Sequence, residues 1–156
     1  DMTGLENLLF TARLNGIPAS DATVRAEKLL DRVGLGTQRK KKTGKYSRGM
    51  RQRLGLADVL IKNPEIIILD EPTSGIDPAG VQEFIDMIHT LSREENLTIL
   101  FSSHNLDQVQ KVCDRVALFD RGKLLSLIDI GELRRCDRDL ADTYNRLMTK
   151  GGAENA

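Results

Sequence analysis

Several features that would identify common classes of protein are missing from this sequence. Its 23 basic and 23 acidic side chains cancel, which argues against nucleic acid as the main partner. Cys113 and Cys136 have no metal-ligand spacing and make no disulfide framework, so we expect a reduced, cytosolic setting. No apolar run approaches the ~18–20 residues that cross a bilayer, and no secretory signal opens the chain. With 156 residues, 40% apolar and 29% charged, the chain fits one soluble domain or a large piece of one.

The most informative stretch runs from Ile66 to Pro78. Its first four residues are apolar and lead directly into two carboxylates, Asp70 and Glu71. The apolar run predicts a strand buried on both faces of a parallel sheet, and such sheets bind ligands at the carboxyl ends of their strands. Two carboxylates beside a core need a cation, hydrogen-bond donors or water, and Mg²⁺ with a phosphate and a polarised water meets that need. An ordinary strand that ends in a polar loop is the alternative.

A second motif, Tyr46–Arg53, lies about twenty residues upstream, close to the start of a predicted helix. Ser47 is a good helix cap, and Gly49 lets a ligand approach the backbone closely. A helix N-terminus with a serine hydroxyl and a nearby glycine suits an anion. Taken alone, simple capping of the helix explains these residues equally well.

Both stretches resemble the ATPase domains of ABC transporters. Ile-Leu-Asp-Glu-Pro-Thr-Ser-Gly-Ile-Asp-Pro is similar to the family's Walker B motif and D-loop, and Tyr-Ser-Arg-Gly-Met is similar to its signature motif. The resemblance implies that Asp70 helps to hold Mg²⁺ and that Glu71 is the general base that polarises the attacking water. It also implies that Asp77 crosses a dimer interface. Ser47 and Gly49 would bind the γ-phosphate of ATP held by the opposite subunit.

The signature-like motif departs from the family's common Leu-Ser-Gly-Gly-Gln form. Tyr46 replaces the leucine, Arg48 the first glycine and Met50 the glutamine. These substitutions look like those of bacterial export-type subunits, so we expect export as the direction of transport.

A third motif follows the next predicted strand, Leu97–Phe101. A helix joins this strand to the first, so the two are expected to be parallel, with Ser102-Ser103-His104 at the same sheet edge as the carboxylates. His104 resembles the switch histidine of ABC ATPases, which would donate a hydrogen bond to the γ-phosphate and orient the base. A structural role is the alternative, but Asn105-Leu106-Asp107-x-Val109 follows as in the family and favours the switch.

The sequence contains no Gly-x-x-x-x-Gly-Lys-Ser/Thr, the loop that cradles the phosphates in this family. The resemblance therefore covers Thr3 to about Ile130, but only the later part of the family's domain. We expect a fragment that is inactive alone, and we expect the strand leading to His104 to have an exposed edge.

The expected fold is α/β: an incomplete P-loop NTPase domain with a parallel sheet flanked by helices, a helical subdomain and a C-terminal hairpin. Residues 1–62 are predicted to form the helical subdomain and signature region, 63–130 the second part of the ATPase core, and 131–156 a C-terminal extension. In the helical region, Thr3 and Glu6 fit a capping box, and Ser20 is expected to cap the second helix.

Two functions of different classes fit the sequence. The first is the ATP-binding subunit of an ABC transporter, an ATPase that uses ATP and Mg²⁺ to drive transport. Its partners would be a membrane permease and a second ATP-binding subunit, at the inner face of the cell membrane. The second is a non-catalytic permease-docking or dimerisation module. An ABC-type ATPase of ribosomes or DNA repair fits less well, because those relatives usually carry asparagine-rich variants where this chain has Ser74-Gly75-Ile76-Asp77.

Overall fold

A computed structural model describes residues 2–94 and 96–153, with the backbone alone for 150–153. The chain forms two compact units, residues 1–102 and 103–156. The boundaries predicted at 62/63 and 130/131 separate functional parts of an ATPase domain, and they stay a prediction.

The first unit contains four helices and two strands among its described residues. The helices are α1 (Gly4–Leu14), α2 (Ala19–Arg32), α3 (Arg48–Leu60) and α4 (Pro78–Glu94). The strands are β1 (Ile66–Leu69) and β2 (Thr98–Phe101). Between α2 and α3 the chain makes two short 3₁₀ helices, Gly36–Gln38 and Thr43–Lys45.

The first two helices begin in different ways. At α1, the Glu6 amide donates to Thr3 Oγ1 (3.2 Å) and the Thr3 amide donates to the Glu6 carboxylate (2.6 Å), so the predicted capping box is confirmed. At α2, the predicted Ser20 cap is wrong, because the helix already begins at Ala19. Pro18 precedes it with a φ of −56°, and its carbonyl accepts two amides of the first turn.

Strands β1 and β2 form a parallel pair, as predicted, and Ile66 lies opposite Thr98. Ile67 is buried, but Ile66 is 61% exposed and Ile68 is 74% exposed. The expectation that β1 is buried on both faces is therefore wrong, because the core lies against only the Ile67 face of the pair. In the described part of the chain the sheet has two strands, so β2 has the open edge that the sequence predicts.

The core of the first unit joins the helices to the sheet. Buried apolar side chains from all four helices meet Ile67 of β1 in one cluster, and its largest fully buried members include Leu8, Leu30, Ile61 and Phe84. This packing fixes the strand that ends before Asp70 relative to helix α3, which starts at Arg48. The two motifs of the first unit are thus held on one rigid core.

The second unit is built around an antiparallel hairpin. It contains α5 (Leu106–Val112), β3 (Arg115–Asp120), β4 (Lys123–Asp129), α6 (Ile130–Arg135) and α7 (Leu140–Ala153). The predicted hairpin turn is confirmed: Arg121 and Gly122 have φ values of 47° and 77°, the left-handed pair that tight hairpins need. In residues 2–94 and 96–153, the structure has no helix with the length and apolar character of a membrane span.

Candidate functional site

Three polar residues meet where the parallel strands end: Asp70, Glu71 and Ser102, together the sheet-edge cluster. Ser102 Oγ donates a hydrogen bond to Asp70 Oδ1 at 2.7 Å and accepts one from the Glu71 amide at 2.8 Å. The Ser102 amide also donates to the Leu69 carbonyl at 3.0 Å, which extends the ladder by one residue. The end of β2 therefore holds both acidic residues that follow β1.

Glu71 adopts a backbone conformation that side chains usually avoid. Its φ is 43°, in the left-handed region, where a residue with a side chain is strained by about 1–3 kcal/mol. Its amide is held by Ser102, and its carbonyl accepts the Ser74 amide at 3.0 Å. Strain of this kind persists only where the surroundings support it, so Ser102 and the following turn together set the direction in which the Glu71 side chain leaves the backbone.

Asp70 has the donor chemistry that a magnesium site needs. Mg²⁺ at such sites takes one or two carboxylates and completes its octahedron with water and phosphate oxygens. Asp70 is exposed, and its hydrogen bond from Ser102 involves one carboxylate oxygen, Oδ1. Residues 2–94 and 96–153 contain no group of three or more His, Cys, Asp or Glu side chains that could hold a metal ion.

The turn before α3 is built by side chains at its start. Ser47 Oγ accepts the Met50 amide at 3.2 Å, so its predicted role as a helix cap is confirmed. Tyr46 is buried, with 3% exposed, and its hydroxyl donates to the Gln38 carbonyl at 2.9 Å. Burial raises the pKa of the Tyr46 phenol. Arg51 then donates to the Tyr46 carbonyl at 2.5 Å, which ties the turn to its own helix.

Gly49 lies beside the loop that carries Asp77. A Cβ placed on Gly49 would lie 3.5 Å from Cγ2 of Ile76, an ordinary van der Waals contact. Asp77 Oδ1 accepts the Gly80 amide at 3.0 Å, and Pro78 is the first residue of α4, as the sequence predicts. The first unit therefore brings the start of α3 and the Asp77 loop into contact.

His104 belongs to the second unit and is exposed. Next to it, the Asn105 amide donates to Ser103 Oγ at 3.1 Å, and Asn105 Oδ1 caps α5 by accepting the Gln108 amide at 3.1 Å. The switch role of His104 stays a prediction.

Sequence reasoning placed Ser102 at the correct sheet edge but did not assign it a contact. The signal was available in the parallel register: the residues that follow two paired parallel strands are neighbours, and a serine beside an aspartate readily donates to it. The burial of Tyr46 had no sequence signal, because it depends on how the α3 turn packs.

A parallel pair that ends in two carboxylates, with a capped helix upstream, is the architecture of an incomplete P-loop ATPase domain. The profile of the family described as ABC transporter matches residues 1–74. Curated relatives match most of the chain at 33–44% identity. The chain belongs to the ABC ATPase family.

Three similar proteins show the extent of the match. The bacitracin transport ATP-binding protein BcrA of Bacillus licheniformis is 43% identical over 138 residues, 88% of this chain and 44% of BcrA. The methionine import ATP-binding protein MetN of Caulobacter vibrioides is 40% identical over 123 residues, 79% of this chain and 37% of MetN. The structure of cbiO1 from Clostridium perfringens, described as part of the ABC transporter complex cbiONQ, matches 99% of this chain and 62% of cbiO1, with a TM-score of 0.80 and 27% identity. The chain thus spans less than half the length of the two curated relatives.

Proposed function

We propose that this chain is the later part of the ATP-binding subunit of an ABC transporter, which couples ATP hydrolysis to transmembrane transport. The observation that carries the proposal is the sheet-edge cluster, in which Ser102 holds Asp70 and the backbone of Glu71. Phosphoryl transfer needs little more than positioned charge and a positioned water, so a fixed pair of carboxylates at a sheet edge suits it.

Each residue of the site has a defined task in this proposal. Glu71 accepts the proton of the water that attacks the γ-phosphate, and Asp70 would hold Mg²⁺. When bound, the ion neutralises charge on the phosphates. Ser47 and Gly49, at the start of α3, present backbone amides to the γ-phosphate of ATP on a second subunit. Asp77 lies at that subunit interface, and His104 orients the base.

The proposal requires a phosphate-binding loop that this sequence does not contain. In ATPases of this family the loop supplies the backbone amides and the lysine that hold the phosphates. The 156-residue chain should therefore be inactive alone, and turnover should belong to the full-length subunit. The second subunit would complete each site by adding its own α3 turn.

A membrane permease is the proposed partner, and the inner face of the cell membrane is the proposed location. The similar protein cbiO1 is described as part of a transporter complex. In this chain Phe10 is 53% exposed and Leu14 is 71% exposed. They lie four residues apart on one face of α1, where an apolar pair offers a docking surface.

A non-catalytic docking module is the second candidate, and the same exposed pair on α1 favours it. The two candidates differ in the behaviour of the sheet-edge cluster. A docking module does not require a strained glutamate beside an aspartate, whereas ATP hydrolysis requires both side chains.

ATP binding and turnover test the proposal directly. We expect the full-length subunit to bind Mg-ATP and release phosphate, and the 156-residue chain to do neither. Retained binding to the permease without turnover by the full-length subunit would favour the docking module. Turnover by the chain alone would show that its phosphates are held without the missing loop and would overturn our account of nucleotide binding.

Export is the proposed direction of transport, and it is supported by the Tyr46-Ser47-x-Gly49-Met50 variant of the signature motif. Among the similar proteins, BcrA is named for bacitracin transport and MetN for methionine import. Once a transported substrate has been found, its ATP-dependent accumulation in inside-out vesicles would support export. ATP-dependent uptake into right-side-out vesicles that hold ATP would contradict it.

A further inference from the structure

We propose that Arg48 is a positioning residue that holds the loop carrying Asp77 against the start of helix α3. The proposal rests on the function proposed above, in which this loop belongs to the ATPase site. The family's signature motif usually has glycine at the position of Arg48, and glycine has no side chain. A positioning role would explain what the arginine side chain does there.

The guanidinium of Arg48 occupies the side-chain position of Gly75. A Cβ placed on Gly75 would lie 2.6 Å from Cζ, 2.7 Å from Nε and 2.7 Å from Nη1 of Arg48. Real Cβ contacts are essentially never this short, so a side chain at position 75 would displace the Arg48 guanidinium. Gly75 also has a φ of 71°, which favours glycine independently.

The next residue of the loop makes a second contact with the helix starts. Cγ2 of Ile76 lies 3.5 Å from the Cβ position of Gly49 and 2.8 Å from that of Gly80. Ile76 is therefore packed between the start of α3 and the start of α4. Two successive residues at the start of α3 thus touch two successive residues of the loop, immediately before Asp77.

Arg48 occupies a position that is mildly unfavourable for a positive charge. It is the first residue of α3, where the helix dipole disfavours a positive charge, and the fully described first turn of α3 contains no acidic side chain. A planar guanidinium can stack on a peptide plane while its edges remain in water, and Arg48 is exposed. Lysine has the same charge but no plane, so charge and stacking can be separated by experiment.

A direct contact between Arg48 and the γ-phosphate is the rival explanation. Both roles reduce turnover when the side chain is removed. They differ in the Michaelis constant for ATP, which a lost phosphate contact raises and a displaced loop leaves nearly unchanged. They also differ in Arg48→Lys, which keeps a phosphate contact and loses the planar group beside Gly75.

The first experiment measures the loop itself, by hydrogen exchange of the peptide 72–80 in the full-length subunit without nucleotide. We expect Arg48→Ala and Arg48→Lys to accelerate exchange of this peptide by about tenfold. Gly75→Ala should accelerate it too, and the double variant Arg48→Ala/Gly75→Ala should show no further increase beyond Gly75→Ala. Gly16→Ala is the control, since Gly16 has a φ of 73° with nothing within 4 Å of its Cβ position. Unchanged exchange in the Arg48 variants would overturn the proposal.

The second experiment measures ATP turnover by the same variants. Arg48→Ala and Arg48→Lys should both lower kcat about fivefold or more, with the KM for ATP within about twofold of the wild-type value. Wild-type turnover in Arg48→Lys, or a rise in KM without a fall in kcat, would overturn the positioning role. If the wild-type subunit hydrolyses no ATP, the proposed function fails, while the exchange experiment still decides whether Arg48 holds the loop.

Discussion

Replacing Ser102 by alanine should reduce ATP turnover by the full-length subunit without unfolding it. The substitution removes two hydrogen bonds at once, the 2.7 Å bond to Asp70 Oδ1 and the 2.8 Å bond from the Glu71 amide. Ser102 and Asp70 are both exposed, so water can replace part of what is lost. We therefore expect a loss of only about 1 kcal/mol in the free energy of unfolding.

The expected effect on turnover is larger than the effect on stability. Glu71 keeps its left-handed backbone partly through the bond from its amide to Ser102, and without that bond the carboxylate can rotate away from the attacking water. A displacement of about 1 Å at a reacting group can cost up to about 100-fold in rate. Because Ser74 still holds the Glu71 carbonyl, we expect a kcat roughly tenfold lower.

The assay is steady-state phosphate release, with two comparison variants. Ser102→Thr keeps the hydroxyl and should retain most of the wild-type kcat. Ser92→Ala removes a serine that donates a single 2.9 Å hydrogen bond to the Leu97 carbonyl, and it should leave kcat unchanged at a similar cost in stability. If Ser102→Ala turns over ATP at the wild-type rate, the reasoning that links Ser102 to the base is refuted.

Three further predictions concern folding and thiol chemistry. Phe84→Ala should lower the free energy of unfolding by about 3–5 kcal/mol, because Phe84 is fully buried. The control Phe119→Ala should lower it by less than about 1 kcal/mol, because Phe119 is exposed. Urea unfolding of the two variants makes the comparison. Tyr46→Phe should cost about 1 kcal/mol by removing the bond to the Gln38 carbonyl, and an unchanged urea midpoint would contradict it. Burial raises the pKa of Cys113 to about 11, so at pH 8 iodoacetamide should modify the exposed Cys136 first. Labelling of Cys113 should accelerate only as the pH rises towards 11. Equal labelling rates at pH 8 in the two single-cysteine variants would contradict this.

Local sequence signals predicted the parts of the fold that depend on neighbouring residues. The Thr3 capping box, the Ser47 cap, the start of α4 at Pro78 and the hairpin turn at Arg121-Gly122 are each decided within a few residues. The order of β1, α4 and β2 was also predictable, since a helical connection between strands of one sheet makes them parallel.

The solvent-exposed face of β1 was not predictable from the same signals. Ile66, Ile67, Ile68 and Leu69 form a continuous apolar run, which indicates burial on both faces, yet Ile66 and Ile68 are exposed. Periodicity reports which residues suit a core, but it does not report which segments are present to cover them. This face is where the sequence pattern and the described structure disagree most.

Within the site, sequence identified residue types and structure identified contacts. Asp70, Glu71 and Ser102 were expected at one edge of the sheet, and the structure joins them by hydrogen bonds. The proximity of Arg48 to Gly75 was not predictable. It depends on the direction in which a long side chain leaves α3, and on a loop that is distant from α3 in the sequence.

The most direct test of the central claim is ATP turnover by the full-length subunit with Glu71→Gln. We predict that the variant still binds Mg-ATP while phosphate release falls at least about 100-fold, because glutamine keeps the shape of the side chain but cannot accept the proton of the attacking water. The control is Glu65→Gln, an exposed glutamate just before the opposite end of β1, which should hydrolyse ATP at the wild-type rate. Wild-type turnover by Glu71→Gln would contradict the assignment of Glu71 as the base and, with it, the site proposed for this chain.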